Sequence, residues 1–468
     1  MSQTLPSTPT VPIQLVYYCL IPHPAARQLL FLPQGEGWTL PWWKHEGDDY
    51  PFWQTVGGVT CALRGRFSLD TPTLRCVHVD HDPQQGWLAY IYESEPAPPD
   101  WMLPTGGRWL GQADIARLAL AVPAHRALLE RWFAAAGDAA AAARRPPWYR
   151  PGWYAEATGW LAAQLIRRGR AIVAPPEQLR SWERAYLLRA LTADGWVYLT
   201  AVPAMFAHEP PLTRELAWEY PGEIPTLLAH DDTRHWMIIT DFGGVSLAGV
   251  RDMGRWALAL RRFAEIQIAC IPRVAALRAL GCPARPVHAL STALDTLLAD
   301  TAALRPGTLA GLTGAEIDIL RARAPLLAVW CAELAHAPVP ETLEHGDFWA
   351  GNVAATPAGY VYFDWSDSAI THPFFSLALF LADAVRAFPD DPSIETRLRD
   401  AYLAPWATFA PRDELVRVFA LAQRVAPLHH AVTYHRDILP GMDARWEMER
   451  MVPFYLRMLL APVPPESP

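Results

Sequence analysis

Apolar positions along the chain change period several times, and those changes mark its elements. Near the amino terminus four runs, QLVYYCLI (14–21), QLLFLP (28–33), TLRCVHVD (73–80) and GWLAYIYE (86–93), are rich in β-branched and aromatic residues and predict short strands. Between and after them, one helix is expected over 52–65 and another over 112–136. The stretch AAAGDAAAAARRPPWYRPGWY (134–154) begins Ala-rich, which favours helix, so 124–143 is expected to be a terminal helix stopped by Pro146 and Pro147. The chain is therefore divided near residue 145.

Beyond that point GWYAEATGWLAAQLIRRG predicts a helix closed by Gly169. YLLRAL and WVYLTAV are joined by TADG, and Asp-Gly between apolar runs is a hairpin signal. A helix over 209–219 comes next, then HWMIITDFGG, an apolar strand ending in a glycine turn. From 252 onward the period is helical almost throughout, as in Trp256, Leu260, Phe263 and Ile266. The exception is YVYFDW (360–365), read as a short strand. No internal repeat is visible. The pattern thus predicts an α+β chain: a small α+β domain (1–145), a β-rich small lobe (146–245) and a large helical lobe (246–468).

Composition narrows the class. The chain is 51% hydrophobic and 19% charged, which is globular and not disordered. A net charge of −8 argues against a nucleic-acid partner. Six cysteines form no C-x-x-C pair and read as buried, reduced thiols. The start of the chain lacks a basic region ahead of an apolar run, and no apolar run reaches the ~18 residues of a membrane span. A soluble, cytoplasmic protein without a membrane partner is expected.

LEHGDFWAGNV (343–353) carries the chemistry, placing His345, Asp347 and Asn352 in the order H-x-D-x4-N. Phosphoryl transfer needs a group near the attacking hydroxyl, ligands for Mg²⁺, and positive charge around the phosphates. Asp347 suits the first role, and a positioned base contributes roughly 10²–10⁴-fold. Asn352 offers a carbonyl oxygen to the metal, and Asp364, at the end of the short strand, a carboxylate. His345 is expected to brace the loop by hydrogen bonds. His429, His430 and His435 lack the i, i+4 spacing of helical zinc ligands and read as ordinary surface or pocket histidines.

HGDFWAGNV followed by YFDWSDSAITHPFFSLALFL resembles the aminoglycoside phosphotransferase and choline kinase-like superfamily over about residues 150–465. The loop is also similar to that of fructosamine kinases. The resemblance implies a protein-kinase-like bilobal fold, ATP and Mg²⁺ as cofactors, and phosphorylation of a small-molecule hydroxyl. It implies Asp347 as the catalytic Asp, and Asn352 and Asp364 as metal ligands. TDFGG is read as the connector between lobes, so backbone groups from Ile239 to Asp241 are expected at the adenine. The order of DFG (241–243) and HRD (435–437) is the reverse of that in protein kinases, and Met442 stands where HRD would need its Asn.

Several positions depart from the superfamily pattern. The lysine expected to contact the α- and β-phosphates falls on Thr200; Lys44, far upstream, is the single lysine of the chain. Its helix partner maps to Glu209, with Glu215 and Glu219 as lesser choices. The phosphate-covering loop falls on SWERAY (181–186), which has no Gly, places Glu183 near a triphosphate, and offers Arg184 as a substitute cation with Arg189 nearby. Ser376 stands where an Asp often braces the metal strand. These departures keep open a second reading, a nucleotide- or metabolite-binding pseudokinase. Residues 1–145 are faintly similar to the Nudix fold. Residues 52–70 contain no Glu, so the metal-holding carboxylates of a Nudix hydrolase are missing.

Overall fold

The computed structural model describes residues 14–47, 50–82, 86–135 and 145–461. Two compact units make up the chain, Met1–Pro203 and Ala204–Pro468. The smaller is rich in strands and the larger mostly helical, an α+β architecture with a β-rich small part and a larger helical one, and residues 146–245, expected to form one lobe, are divided between the two units.

In the first unit, β1 (Gln14–Leu20), β2 (Gln28–Gln34), β3 (Gly37–Thr39) and β4 (Trp42–Lys44) precede helix α1 (Gly57–Phe67). Then come β5 (Thr73–Asp82), β6 (Trp87–Ser94), β7 (Arg108–Gly111), α2 (Gln112–Ile115) and α3 (His125–Ala135). A mixed sheet has the order β4-β1-β6-β5, with β1 parallel to β6, and a second sheet has the order β3-β2-β7. Leu129 and Phe133 of α3 close a core over Leu20, Phe31 and Ile91. Helix α4 (Trp153–Ile166) leads to the antiparallel strands β8 (Glu177–Trp182), β9 (Ala185–Thr192) and β10 (Gly195–Ala201).

Two expected helices differ, each because a distant strand claims part of the segment. The helix expected over 52–65 starts at Gly57, since residues 54–56 pair with β8. Val56 N donates to Leu179 O at 3.1 Å and Ser181 N to Gln54 O at 3.0 Å. A Cβ at Gly57 would lie 2.5 Å from Gln178 O, so only glycine fits this entry. The helix expected over 112–136 is split into α2 and α3. Trp38 N donates to Ala119 O and Ala121 N to Trp38 O, both at 2.9 Å, which holds the intervening segment extended. The rest of the terminal helix expected to 143 lies outside the described residues.

The second unit opens with α5 (Glu209–Glu219), whose prolines sit in the first turn where no intrahelical N–H is needed. A hairpin of β11 (Leu227–Asp231) and β12 (Trp236–Thr240) comes next, then β13 (Val245–Ser246). Helix α6 (Met253–Cys270) is capped by the Asp252 side chain and buries Trp256, Leu260, Phe263 and Ile266. Each such side chain contributes roughly 1.5–3 kcal/mol. Helix α7 (Gly314–Ala335), with a Thr313–Glu316 capping box, precedes four short strands: β14 (Thr342–Glu344), β15 (Val353–Thr356), β16 (Gly359–Tyr362) and β17 (Ala369–Thr371). The chain then runs through α8 (Leu377–Ala387), α9 (Ile394–Leu403), α10 (Arg412–Thr433), a π-helical turn at Tyr434–Ile438 and α11 (Met451–Met458). Among the described residues no helix is long and apolar enough to cross a membrane.

Candidate active site

Antiparallel pairing of β14 with β17 sets Glu344 opposite Ala369 and brings the loop after β14 against residues 366–368. Gly346 takes φ +82°, and a Cβ there would lie 2.2 Å from Asp367 O, so the turn that presents Asp347 requires glycine. The other side of Asp347 is anchored by Phe348, stacked on Phe263 at 3.9 Å and on Phe380 at 5.1 Å between ring centroids. Ala350 N donates to Asp383 Oδ2 at 3.0 Å, tying the loop to α8. Asp347 is thus held between a glycine turn and an aromatic stack.

Asn352 Nδ2 donates to Asp347 O at 2.9 Å and to Asp347 Oδ2 at 3.2 Å. That leaves Asn352 Oδ1, the atom a hard cation would use, outside these bonds. Val353 pairs with Tyr362 in the β15–β16 hairpin, and Phe363 N donates to Asn352 O at 3.2 Å. Asn352 and Asp364 therefore leave the same end of one hairpin. The strand expected over 360–365 ends at Tyr362, because Asp364 turns into the left-handed region at φ +67°. Ser366 Oγ donates to Asp364 Oδ1 at 3.0 Å. An amide oxygen and one carboxylate from a hairpin end fit Mg²⁺, which takes few protein oxygens and completes its shell with phosphates and water.

His345 is fully buried, and burial holds its imidazole below the usual range. Its Nε2 lies 3.1 Å from Phe363 O, next to Asp364. Beneath it, Ser376 Oγ donates to Glu344 Oε1 at 2.8 Å, while His345 N approaches Ser376 Oγ at 3.4 Å. Burial pushes the Glu344 carboxyl up to about 7.

Asp347 opens onto a cavity of about 810 Å³ walled by Trp349, Leu379, Leu381, Phe419, Phe454 and Tyr455. Arg386 and Asp383, paired with each other, lie at its wall. A volume in that range suits a drug-sized ligand.

The remaining sequence candidates divide between the units. Thr200 lies on β10, opposite Leu187 of β9. Arg184 sits in the β8–β9 turn with its guanidinium 5.6 Å from the Trp182 ring, and Glu183 beside it is buried within the first unit. Arg189 is paired with Glu177 at 2.8 Å. In the second unit Glu209 is buried at the start of α5, and Ile239 pairs with Leu227. Asp241 accepts from Gly243 N at 3.2 Å. Phe242 packs its ring 5.1 Å from Phe363, within the second unit, next to the residue Asp364. Asp437 of the HRD stretch pairs with Arg285 at 2.9 Å, and His435 Nε2 lies 3.0 Å from Asp300 Oδ2.

Three groups at this site escaped the sequence reading. Arg285 is buried and donates from one terminal nitrogen to Asp367 O at 3.0 Å. Asp383 fixes the loop through Ala350, and Glu344 lies under it. Glu344 adjoins the motif and lay within sight of it, whereas nothing in the spacing of Arg285 or Asp383 signals a part in the site.

Residues 212–415 match the model of a family described as phosphotransferase enzymes. No curated protein matches the chain. Among solved structures, a choline kinase from Streptococcus pneumoniae is similar at 12% identity and TM-score 0.45, covering 65% of this chain and 99% of its own. An ethanolamine kinase of Plasmodium vivax is similar at 11% identity and TM-score 0.44, with 62% and 82% covered. An aminoglycoside phosphotransferase from Streptomyces rimosus is similar at 18% identity and TM-score 0.34, with 57% and 98% covered.

Proposed function

We propose that the chain is an ATP- and Mg²⁺-dependent phosphotransferase acting on a hydroxyl of a small metabolite. The observation that carries this reading is Asp347, hydrogen-bonded by Asn352 and opening onto the large cavity of the second unit. Asp347 takes the proton of the acceptor hydroxyl, and Asn352 holds that carboxylate in place. His345 steadies the Phe363 carbonyl and with it the backbone at Asp364. When bound at Asn352 and Asp364, Mg²⁺ supplies charge neutralisation for the phosphates. Asp364→Ala should therefore weaken ATP binding about tenfold in the presence of Mg²⁺ and make it indifferent to the metal, as read by titration calorimetry with and without Mg²⁺. Wild-type, metal-dependent affinity in that variant would remove Asp364 from the site.

Thr200 supports a second reading, a module that binds nucleotide or metabolite without turnover. A charged hydrogen bond of the kind a lysine would make there is worth roughly 1.5–3 kcal/mol. At about 1.4 kcal/mol per tenfold, its absence costs on the order of 10–100-fold in rate or affinity. The decisive experiment is ATP-dependent phosphorylation of a panel of alcohols by wild type, Thr200→Lys and Arg184→Ala. Weak activity raised 10–100-fold by Thr200→Lys is the expected result. Loss in Arg184→Ala without gain in Thr200→Lys would mean a relocated cation. No turnover by any of the three, with ATP still bound, would establish the binding module.

For residues 1–145 we propose a degenerate Nudix-like binding domain. Helix α1 has no acidic residue in its first turn, and its two late arginines, Arg64 and Arg66, carry the wrong charge for a metal. A cytoplasmic setting is our reading of the cysteines, all six of them free and five of them buried.

A further inference from the structure

The large cavity has a second, smaller chamber beside it, and the two differ in chemistry. Asp347, Leu379, His430 and Tyr455 line both, so the chambers adjoin and Asp347 stands where they meet. The outer one is walled mainly by Trp349, Phe419, Phe454 and Tyr455 together with aliphatic side chains of α8, with the Asp383–Arg386 pair and the side chains of Glu395 and Arg399 also on its lining. The inner one encloses about 20 Å³, room for one group the size of a water molecule, and is lined by Arg285, Asp367, His430 and Thr433. His430 Nε2 and Thr433 Oγ1 are buried without a hydrogen-bond partner, and each side chain is only 6% exposed. A buried polar atom left unpaired is costly, so a ligand group that pairs with it gains affinity and selectivity.

The charges around the inner chamber decide what kind of group it takes. Arg285 already meets Asp437 at 2.9 Å and the Asp367 carbonyl at 3.0 Å. His429 and His430 also line the chamber, and burial holds both imidazoles low, His430 at about 4, so both are neutral. An anionic group would face the carboxylates of Asp347 and Asp367, and a cationic one would face the Arg285 guanidinium. A neutral donor–acceptor suits the chamber best.

We propose that the acceptor is a largely apolar alcohol carrying a second, neutral hydroxyl next to the one that reacts. Its apolar body lies in the outer chamber, the reacting hydroxyl lies at Asp347, and the neighbouring hydroxyl enters the inner chamber against His430 and Thr433. This assignment rests on the phosphotransferase reading of Asp347, but its test reads binding alone.

The test uses the full chain without nucleotide and three probes of one shape: 1-phenylethanol, 1-phenyl-1,2-ethanediol and 2-amino-1-phenylethanol. Affinities are measured by ligand-observed NMR titration. The diol is expected to bind about tenfold more tightly than the mono-alcohol, the ratio that one hydrogen bond to a buried group carries. Thr433→Val should reduce the ratio to about twofold or less, and Thr433→Ser, which keeps the hydroxyl, should restore it. Equal affinities in the wild type, tighter binding of the amine, or an undiminished ratio in Thr433→Val would each overturn the proposal. The last would mean that the inner chamber holds only water. Absence of saturable binding by all three probes would overturn it as well. A separate assay of the diol with ATP and Mg²⁺ tests the other reading: selective diol binding in the titration with no phosphorylation in that assay would count against the phosphotransferase reading and leave the subsite standing.

Discussion

Asp347→Asn should lower turnover by about 10²–10⁴-fold, the range for loss of a positioned base. The substitution changes little else. An amide oxygen at position 347 still accepts the Asn352 Nδ2 bond, and the Phe348 stack and the Gly346 turn are untouched. ATP affinity should stay within a few-fold of wild type, because the side chain is proposed to act on the acceptor and not on the nucleotide. The check is turnover at saturating ATP and acceptor, with nucleotide binding measured separately. A variant that keeps wild-type turnover would take the base role away from Asp347.

Gly346→Ala should do comparable damage by geometry alone. The backbone at 346 is left-handed, which costs an L-residue roughly 1–2 kcal/mol, and the added methyl would sit 2.2 Å from a backbone oxygen. Because Asp367 O is itself held by the Arg285 guanidinium, the loop has to move. Misplacement of a reacting group by ~1 Å costs on the order of 10²-fold. A loss of about that size is expected, together with a lower melting temperature. The control is Gly359→Ala in the β15–β16 turn. Its φ of +146° makes that change strained as well, but a Cβ there meets nothing within 4 Å, so stability should fall while turnover holds. Near-wild-type turnover in Gly346→Ala would show that the 345–349 loop tolerates a shift.

What could be read from the chain, and what could not, divides by the range of the interactions. Helix α5 runs over the predicted residues because its pattern and its prolines act locally. The β9–β10 hairpin follows its Asp-Gly signal, with Thr192 opposite Gly195. The stripe of α6 is buried as its spacing predicts. Strands β4 and β7 escaped notice because they are short and held by β1 and β2, far away in sequence, and the break between α2 and α3 has the same origin in Trp38. The candidate site shows the same division. The loop from His345 to Asn352 and the hairpin to Asp364 form one local unit and were legible as a motif. The walls that meet it come from α8, α9, α10 and α11, and no local pattern announces that Arg285 or Thr433 will stand beside Asp347.

The pairing of residues 54–56 with β8 has a practical consequence for anyone who would trim this protein. Gln178 of β8 receives the Thr73 N–H at 2.9 Å and gives its own amide to Thr73 O at 3.0 Å, while Thr55 bridges to Arg180. A fragment beginning near residue 146 would strip that cover from β8 and leave unpaired backbone and a buried glutamine facing water. Bare strand edges recruit other chains. Such a fragment should therefore come out of cells as aggregate even if every group of the candidate site is intact, and its silence in an assay would report on solubility and not on chemistry.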